Sequence, residues 1–149
     1  MTLFSICVPT YEMSGYGPEM LKGFFENLKS QTVQDFEIVI SDQSEDLETY
    51  KVCEEYSNIH TIKYIKNFYA NGRSAHNLNT CIDSSVGKII KVMFEDDYFL
   101  DDDALKKISE KHNQGFKWVM NSFTHTKDDK NFFNPMIPKL NDNLLDGVN

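Results

Sequence analysis

Three consecutive acids, Glu95, Asp96 and Asp97, stand where the apolar run Ile89 to Phe94 ends. Carboxylates at the mouth of a buried strand are costly to desolvate unless something positive meets them, so a cation or a basic side chain is expected there. Alone, Asp96 and Asp97 would repel a diphosphate. Mg²⁺ or Mn²⁺, hard cations held by oxygen, would bridge carboxylate and phosphate and turn that repulsion into attraction. Other side chains suit the rest of such a ligand. Asp42 ends a second apolar run and accepts hydrogen bonds from a base or ribose, while Arg73 is a cationic donor for a base carbonyl or a phosphate. Tyr11 offers a ring to flank a base. Each of these has a plainer explanation when taken singly: an exposed Arg is usually solvated surface, and an Asp after a strand is usually a turn former. The second acidic run, Asp101 to Asp103, precedes Ala104, Leu105 and Ile108 and is accounted for by the unpaired amides and dipole of a helix start.

The elements that must position these groups follow in order. Leu3 to Val8 is a short apolar run closed by Pro9, which predicts a buried strand. Met20, Leu21, Phe24, Phe25 and Leu28 recur at helical spacing, predicting a helix over Pro18 to Ser30 whose stripe packs the core. Phe36 to Asp42 is the second strand, and Ser44 is a candidate cap for a helix carrying Leu47, Tyr50, Val52, Cys53 and Tyr56. Thr61 to Ile65 is a third strand, where Lys63 and Lys66 suggest one solvated side near a sheet edge. The Asn-rich stretch Asn67 to Asn79 is expected as a loop feeding a helix with Leu78, Ile82 and Val86, ended by Gly87 as a left-handed cap. Ile89 to Phe94 is the fourth strand and Phe116 to Phe123 the fifth, while Thr124 to Asn149 receives no secondary structure. Strands alternating with helices imply an α/β fold with a mostly parallel, Rossmann-like sheet covered on both faces. In such sheets ligands lie beyond the carboxyl ends of the strands, where strand order reverses, so Thr10 to Glu12, Asp42 and Glu95 to Asp97 should converge on one rim.

Bulk properties narrow the partners. The 149 residues are one domain's worth of chain, and 40% hydrophobic with 26% charged residues is ordinary for a globular protein. A net charge of −8 without a basic stripe argues against nucleic acid. Cys7, Cys53 and Cys81 lack paired spacing and read as reduced core thiols. No signal segment or membrane span is evident, which places the chain in the cytoplasm or facing it.

The segments S-I-C-V-P-T-Y-E, F-E-I-V-I-S-D-Q-S-E-D, N-G-R-S-A-H-N-L-N and V-G-K-I-I-K-V-M-F-E-D-D resemble, in order and spacing, the nucleotide-binding portion of a family 2 glycosyltransferase with the GT-A type of nucleotide-diphospho-sugar transferase fold. The resemblance covers roughly Leu3 to Phe123. It implies a nucleotide-sugar-binding domain over residues 1–123 and, in the same domain, the start of a loop-rich acceptor-side region over 124–149, truncated on that side. It further implies inverting, metal-dependent transfer, with Mn²⁺ or Mg²⁺, from a nucleotide-diphosphate sugar, most often a UDP-sugar, to a saccharide or lipid-linked acceptor. By the resemblance, Pro9, Thr10, Tyr11 and Glu12 line the nucleotide pocket, Asp42 contacts uracil, and Arg73 contacts the base or phosphate. Gly72, Asn77 and Asn79 fall in the family's Asn and Gly motif. Asp97 is the metal ligand, and Asp96 lies nearer the ribose or donor sugar while sharing the metal.

Three departures bear on nucleotide identity: Ser41-Asp42 replaces a pair of acids, Leu78 replaces a common Arg, and Glu95 stands where many members have Asp, Ser, Gln or Thr. An inverting enzyme needs a general base, which the resemblance implies comes from a later acceptor-binding segment, and neither Asp142 nor Asp146 has a spacing that marks it as one. A catalytically silent nucleotide-sugar-binding module acting in assembly or regulation is therefore a second reading. A metal-dependent nucleotidyltransferase is a third, weakened because Thr10 to Gly17 holds no Lys or Arg for a triphosphate. A phosphoacceptor receiver domain is weaker still, since no Lys stands near Phe123 at a strand end. A homodimer is one way to cover an apolar edge left at Asn149.

Overall fold

A computed structural model describes residues 2–69 and 72–126. Contacts divide the chain into two compact units, Met1–Glu110 and Lys111–Asn149. In the first unit a four-stranded sheet is built from β1 (Phe4–Thr10), β2 (Phe36–Asp42), β3 (Ile62–Lys66) and β4 (Ile89–Val92). Its spatial order is β3-β2-β1-β4 and every pairing is parallel. The chain thus steps one way from β1 to β3, then returns to the far side of β1. The strand order reverses between β1 and β4, and all carboxyl ends share one rim.

Among the described residues four α-helices complete the fold, α1 (Gly17–Leu28), α2 (Glu48–Tyr56), α3 (Ser74–Asp83) and α4 (Ala104–Asn113), with a 3-10 turn at Met13–Gly15. Alternation along β1 explains their placement. Phe4, Ile6 and Val8 face one layer with Ile38 and Ile40, where Leu21, Phe24, Phe25 and Leu28 of α1 join Val52 and Tyr56 of α2 and Leu105 and Ile108 of α4. Cys7 and Val39 face the opposite layer, where they meet Cys81, Leu78 and Ile82 of α3. Both faces are covered, as the near-continuous apolar strands predict. The three cysteines are free and buried. Among the described residues no helix is long and apolar enough to cross a membrane.

Several local expectations change. Strand β1 continues through Pro9 to Thr10, in register with Ser41 and Asp42. Its pairing with β4 ends at Cys7, so Pro9 lies where β1 has one paired neighbour, a setting that tolerates a missing amide. Ser44 does not cap α2: Leu47 occupies the cap position without a side-chain bond, and Asp46 Oδ1 accepts the Glu48 amide at 3.0 Å. The Asn-rich stretch is helical from Ser74. Gly87 is no left-handed cap, because α3 ends at Asp83 with Ser84 beyond it. Gly87 instead lies against the β1 backbone, its amide donating to Ser5 Oγ at 2.8 Å. The acids before α4 behave as a helix start: Asp101 accepts the Asp103 amide at 2.9 Å and pairs with Lys107.

In the second unit, Phe116 to Phe123 forms no regular strand, only isolated bridges at Phe123 and Thr126. A strand is stable when a neighbour takes its main-chain bonds, and propensity alone does not supply one. Asp142 and Asp146 lie outside the described residues.

Candidate functional site

The carboxyl rim is assembled by named bonds between the ends of the strands. Gln43 N donates to Thr10 O at 3.0 Å, tying β2's exit to β1's. Asn67 N donates to Asp42 O at 2.8 Å, tying β3's exit to β2's. Glu45 N donates to Glu12 Oε2 at 3.3 Å. Across the reversal, Met93 N donates to Cys7 O at 3.1 Å, and the Tyr11 backbone hydrogen-bonds the Glu95 carboxyl. Thr10 to Glu12, Asp42 and the Glu95 segment therefore do meet on one rim.

Asp42 occupies its floor. Its side chain is 0% exposed, and five protein donors converge on its two oxygens. Oδ1 accepts from Thr10 Oγ1 at 3.3 Å, Ser44 N at 2.9 Å and Ser44 Oγ at 2.5 Å. Oδ2 accepts from Tyr64 Oη at 2.6 Å and Lys66 Nζ at 3.3 Å. Two carboxylate oxygens offer about four lone-pair sites, so the donor set saturates them. Burial, with the Asp42 bond next, pushes the Tyr64 phenol well above its ordinary range. Asp42 thus braces the loops under the rim instead of presenting its oxygens to the surface.

Asn77 plays a matching part on the other face of the sheet. It is buried, its Oδ1 accepts from Ser41 Oγ at 2.5 Å, and its Nδ2 donates to Thr10 O at 3.1 Å. Pro9 and Thr10 are buried as well. Asn79, two residues and roughly 200° further round α3, is exposed. Gly72, at φ 77°, and Arg73 are exposed at the start of α3. Tyr11 is 52% exposed and Glu12 is half-buried.

Of the three consecutive acids, Asp96 and Asp97 are exposed and Glu95 is only 3% exposed. Asp97 is fixed by a local turn, its Oδ2 accepting the Phe94 amide at 3.0 Å and its own amide donating to Phe94 O at 3.0 Å. Two exposed carboxylates are the hard oxygen donors that Mg²⁺ or Mn²⁺ takes. No group of three metal-ligating side chains comes together among the described residues. A cation held here would complete its shell from a bound phosphate and water.

Glu95 is the residue that sequence reasoning left without a role. Glu95 stands in the Phe94–Asp97 turn just beyond β4, with its side chain buried. Alternation counted from Ile89 does not single it out, because it places exposed Asp97 on the same side. Burial foremost, then the neighbouring acids Asp96, Asp42 and Glu12, outweigh the Tyr11 bond and push its carboxyl up to about 8. A carboxyl that holds its proton more tightly folded than unfolded adds stability in full below about 4.5, and that stability is lost as pH rises through about 8. His60, whose pKa burial lowers, slopes the other way below its ordinary 6.5, so the effect is isolated above neutrality. Thermal melts in chelator should show wild type losing stability from pH 7 to 8.5 relative to Glu95→Gln. Parallel curves would refute the assignment.

Comparison with known proteins agrees with this geometry. The sequence model described as Glycosyl transferase family 2 matches residues 5–146. No curated protein matches the chain. Among solved structures, S. aureus TarS 1-349 superposes with a TM-score of 0.67 at 23% identity, over 76% of this chain and 33% of that one. The same protein in complex with UDP-GlcNAc gives a TM-score of 0.66 at 23% identity, over 76% and 32%. The mannosyltransferase PcManGT from Pyrobaculum calidifontis, in complex with GDP-Man and Mn²⁺, gives 0.58 at 23% identity, over 68% and 30%. The chain spans about a third of the length of these structures. The parallel sheet, the reversal between β1 and β4 and the match over residues 5–146 together place this chain in glycosyl transferase family 2.

Proposed function

We propose that the rim binds a nucleotide-diphosphate sugar, a UDP-sugar in the first instance, and that the chain takes part in metal-dependent transfer of the sugar, with inversion, to an acceptor hydroxyl. The observation that carries this is the pair of exposed carboxylates, Asp96 and Asp97, at the strand-order reversal of a family 2 chain. Support for the donor class comes from TarS, solved with UDP-GlcNAc, and from PcManGT, solved with GDP-Man and Mn²⁺.

In this reading Asp97 and Asp96 hold Mn²⁺ or Mg²⁺, which when bound supplies positive charge to the departing diphosphate. Asp97 is the better anchored of the two, because the Phe94 amide fixes its carboxyl. Tyr11 flanks the base, Arg73 donates to base carbonyl or phosphate, and Gly72 lets the chain turn into α3 beside them. Pro9, Thr10, Asp42 and Asn77 act beneath the pocket: they fix where the Tyr11 and Gln43 backbones lie and do not themselves reach the ligand. Glu12 lines the pocket through its tie to Glu45, and Asn79 stands at its margin. Sugar attack needs an acceptor deprotonated by a base, and no described residue is assigned that role.

Calorimetry should find UDP binding that requires Mn²⁺ or Mg²⁺ and falls at least tenfold in Asp97→Ala. Full-strength binding in that variant without metal would sink the metal role. Metal-dependent binding with neither donor hydrolysis nor transfer across an acceptor panel would make the chain a binding module.

A further inference from the structure

The turn that carries Asp96 and Asp97 is slung between two fixed points. Upstream, Met93 N donates to Cys7 O of β1 at 3.1 Å. Downstream, one side chain of α1 grips the main chain of Phe99 by both of its polar groups: Asn27 Oδ1 accepts the Phe99 amide at 2.7 Å, and Asn27 Nδ2 donates to Phe99 O at 2.9 Å. A primary amide presents donor and acceptor side by side, so it pairs with a residue's N–H and C=O as a neighbouring strand would. The grip sets orientation as well as place. Phe99 stands two residues beyond Asp97.

The needs of its own helix do not explain Asn27. The face that α1 buries consists of Gly17, Leu21, Phe24, Phe25 and Leu28, and Asn disfavours helices. Nor does α4 depend on Asn27 for its seat. Gln31, only 2% exposed, donates to Asp101 O at 2.9 Å and accepts the Leu105 amide at 3.2 Å, while Thr32 N donates to Asp102 O at 2.8 Å. Asn27 holds the stretch nearer the acids. The bond from the Phe94 amide to Asp97 Oδ2 orients that carboxyl within the turn, but it does not fix the turn against the rest of the fold.

Resting on the reading of Asp96 and Asp97 as metal ligands, we infer that Asn27 is a positioning residue, which by clamping Phe99 fixes the acidic turn against α1 and preorganises the two carboxylates for a divalent cation. Ligands held in place beforehand lose less freedom on binding. Without the clamp, the cation must order the turn itself.

Mn²⁺ titrations, followed by the EPR signal of the free ion, test this on wild type, Asp97→Ala and Asn27→Leu. Asn27→Leu should bind Mn²⁺ about tenfold more weakly than wild type, the lower end of the range for groups that support metal ligands, and its Phe99 amide should exchange faster with solvent. Asn27→Ala removes the same two bonds and serves should the leucine variant not fold. Val52→Ala separates positioning from general loss of stability: it trims a buried core residue of α2, so it should melt below wild type and bind Mn²⁺ as wild type does. Wild-type Mn²⁺ affinity in the Asn27 variant, or an equal loss in Val52→Ala, would overturn the inference alone. Wild type binding Mn²⁺ no better than Asp97→Ala would overturn the metal reading and this inference with it.

Discussion

Asp42→Ala should unfold at markedly lower urea than wild type, with a loss of about 3 kcal/mol or more. Removing the carboxylate strips Lys66, only 16% exposed, of its counter-ion and leaves the Tyr64 hydroxyl and the Ser44 amide without their acceptor. Breaking one partner of a buried pair is costly because the other remains desolvated. Lys66 Nζ keeps its bonds to Ser44 O at 2.6 Å and Asp46 O at 2.8 Å, so the penalty sits at the lower end of the range for fully buried pairs. Lys66→Met in the same background should restore part of the loss, whereas a directly ligand-contacting Asp42 would leave stability nearly untouched. A fall below about 1 kcal/mol on Asp42→Ala would show that the network is not what holds the rim. Nucleotide affinity should fall as well, because Thr10 and Gln43 sit on the same brace.

The sequence made the sheet and its rim legible because both rest on local regularities. Apolar runs on both strand faces, separated by helical stripes such as Leu21-Phe24-Phe25-Leu28, leave few arrangements other than a covered parallel sheet. What escaped was set by tertiary partners. Asn67 to Asn79 looks like loop because Asn disfavours helices, yet Asn77 gains Ser41 and the Thr10 carbonyl as buried partners and α3 starts three residues earlier, at Ser74. Asp42 looks like a surface acid at a strand exit, and only the spatial arrival of Tyr64 and Lys66 from β3 shows that it is internal. The three consecutive acids differ by the turn that follows β4: Glu95 is buried in it, whereas Asp96 and Asp97 are exposed. That distinction was not available from the strand's period, which ends with β4 at Val92 and would have put Asp97 with Glu95.

Gly87→Ala should destabilise the fold by an amount near the top of the range for overpacking, about 3 kcal/mol, corresponding to a melting-temperature fall of order 10 °C. A Cβ at Gly87 would stand 2.5 Å from Phe4 C and 2.5 Å from Ser5 N, both main-chain atoms of a central strand, and 2.7 Å from Ser5 Oγ. A flexible side chain could move aside, but β1 is paired to β2 and β4 and cannot shift without disturbing both ladders. The same approach delivers the Gly87 amide to Ser5 Oγ and the Val86 amide to Glu37 Oε1 at 2.8 Å, so displacing residue 87 also strips one donor from a buried carboxylate and leaves it only the Ser5 Oγ bond at 2.6 Å. The damage should reach the site, because β4 begins at Ile89, ends at Val92 and leads into the turn that holds Glu95 to Asp97. Gly23→Ala is the control. Gly23 lies inside α1 with nothing within 4 Å of an added Cβ, so alanine there should stabilise by about 0.5–1 kcal/mol through helix propensity. Melting curves for the two variants should therefore move in opposite directions, and a common direction would show that close approach to β1 is not why position 87 is glycine.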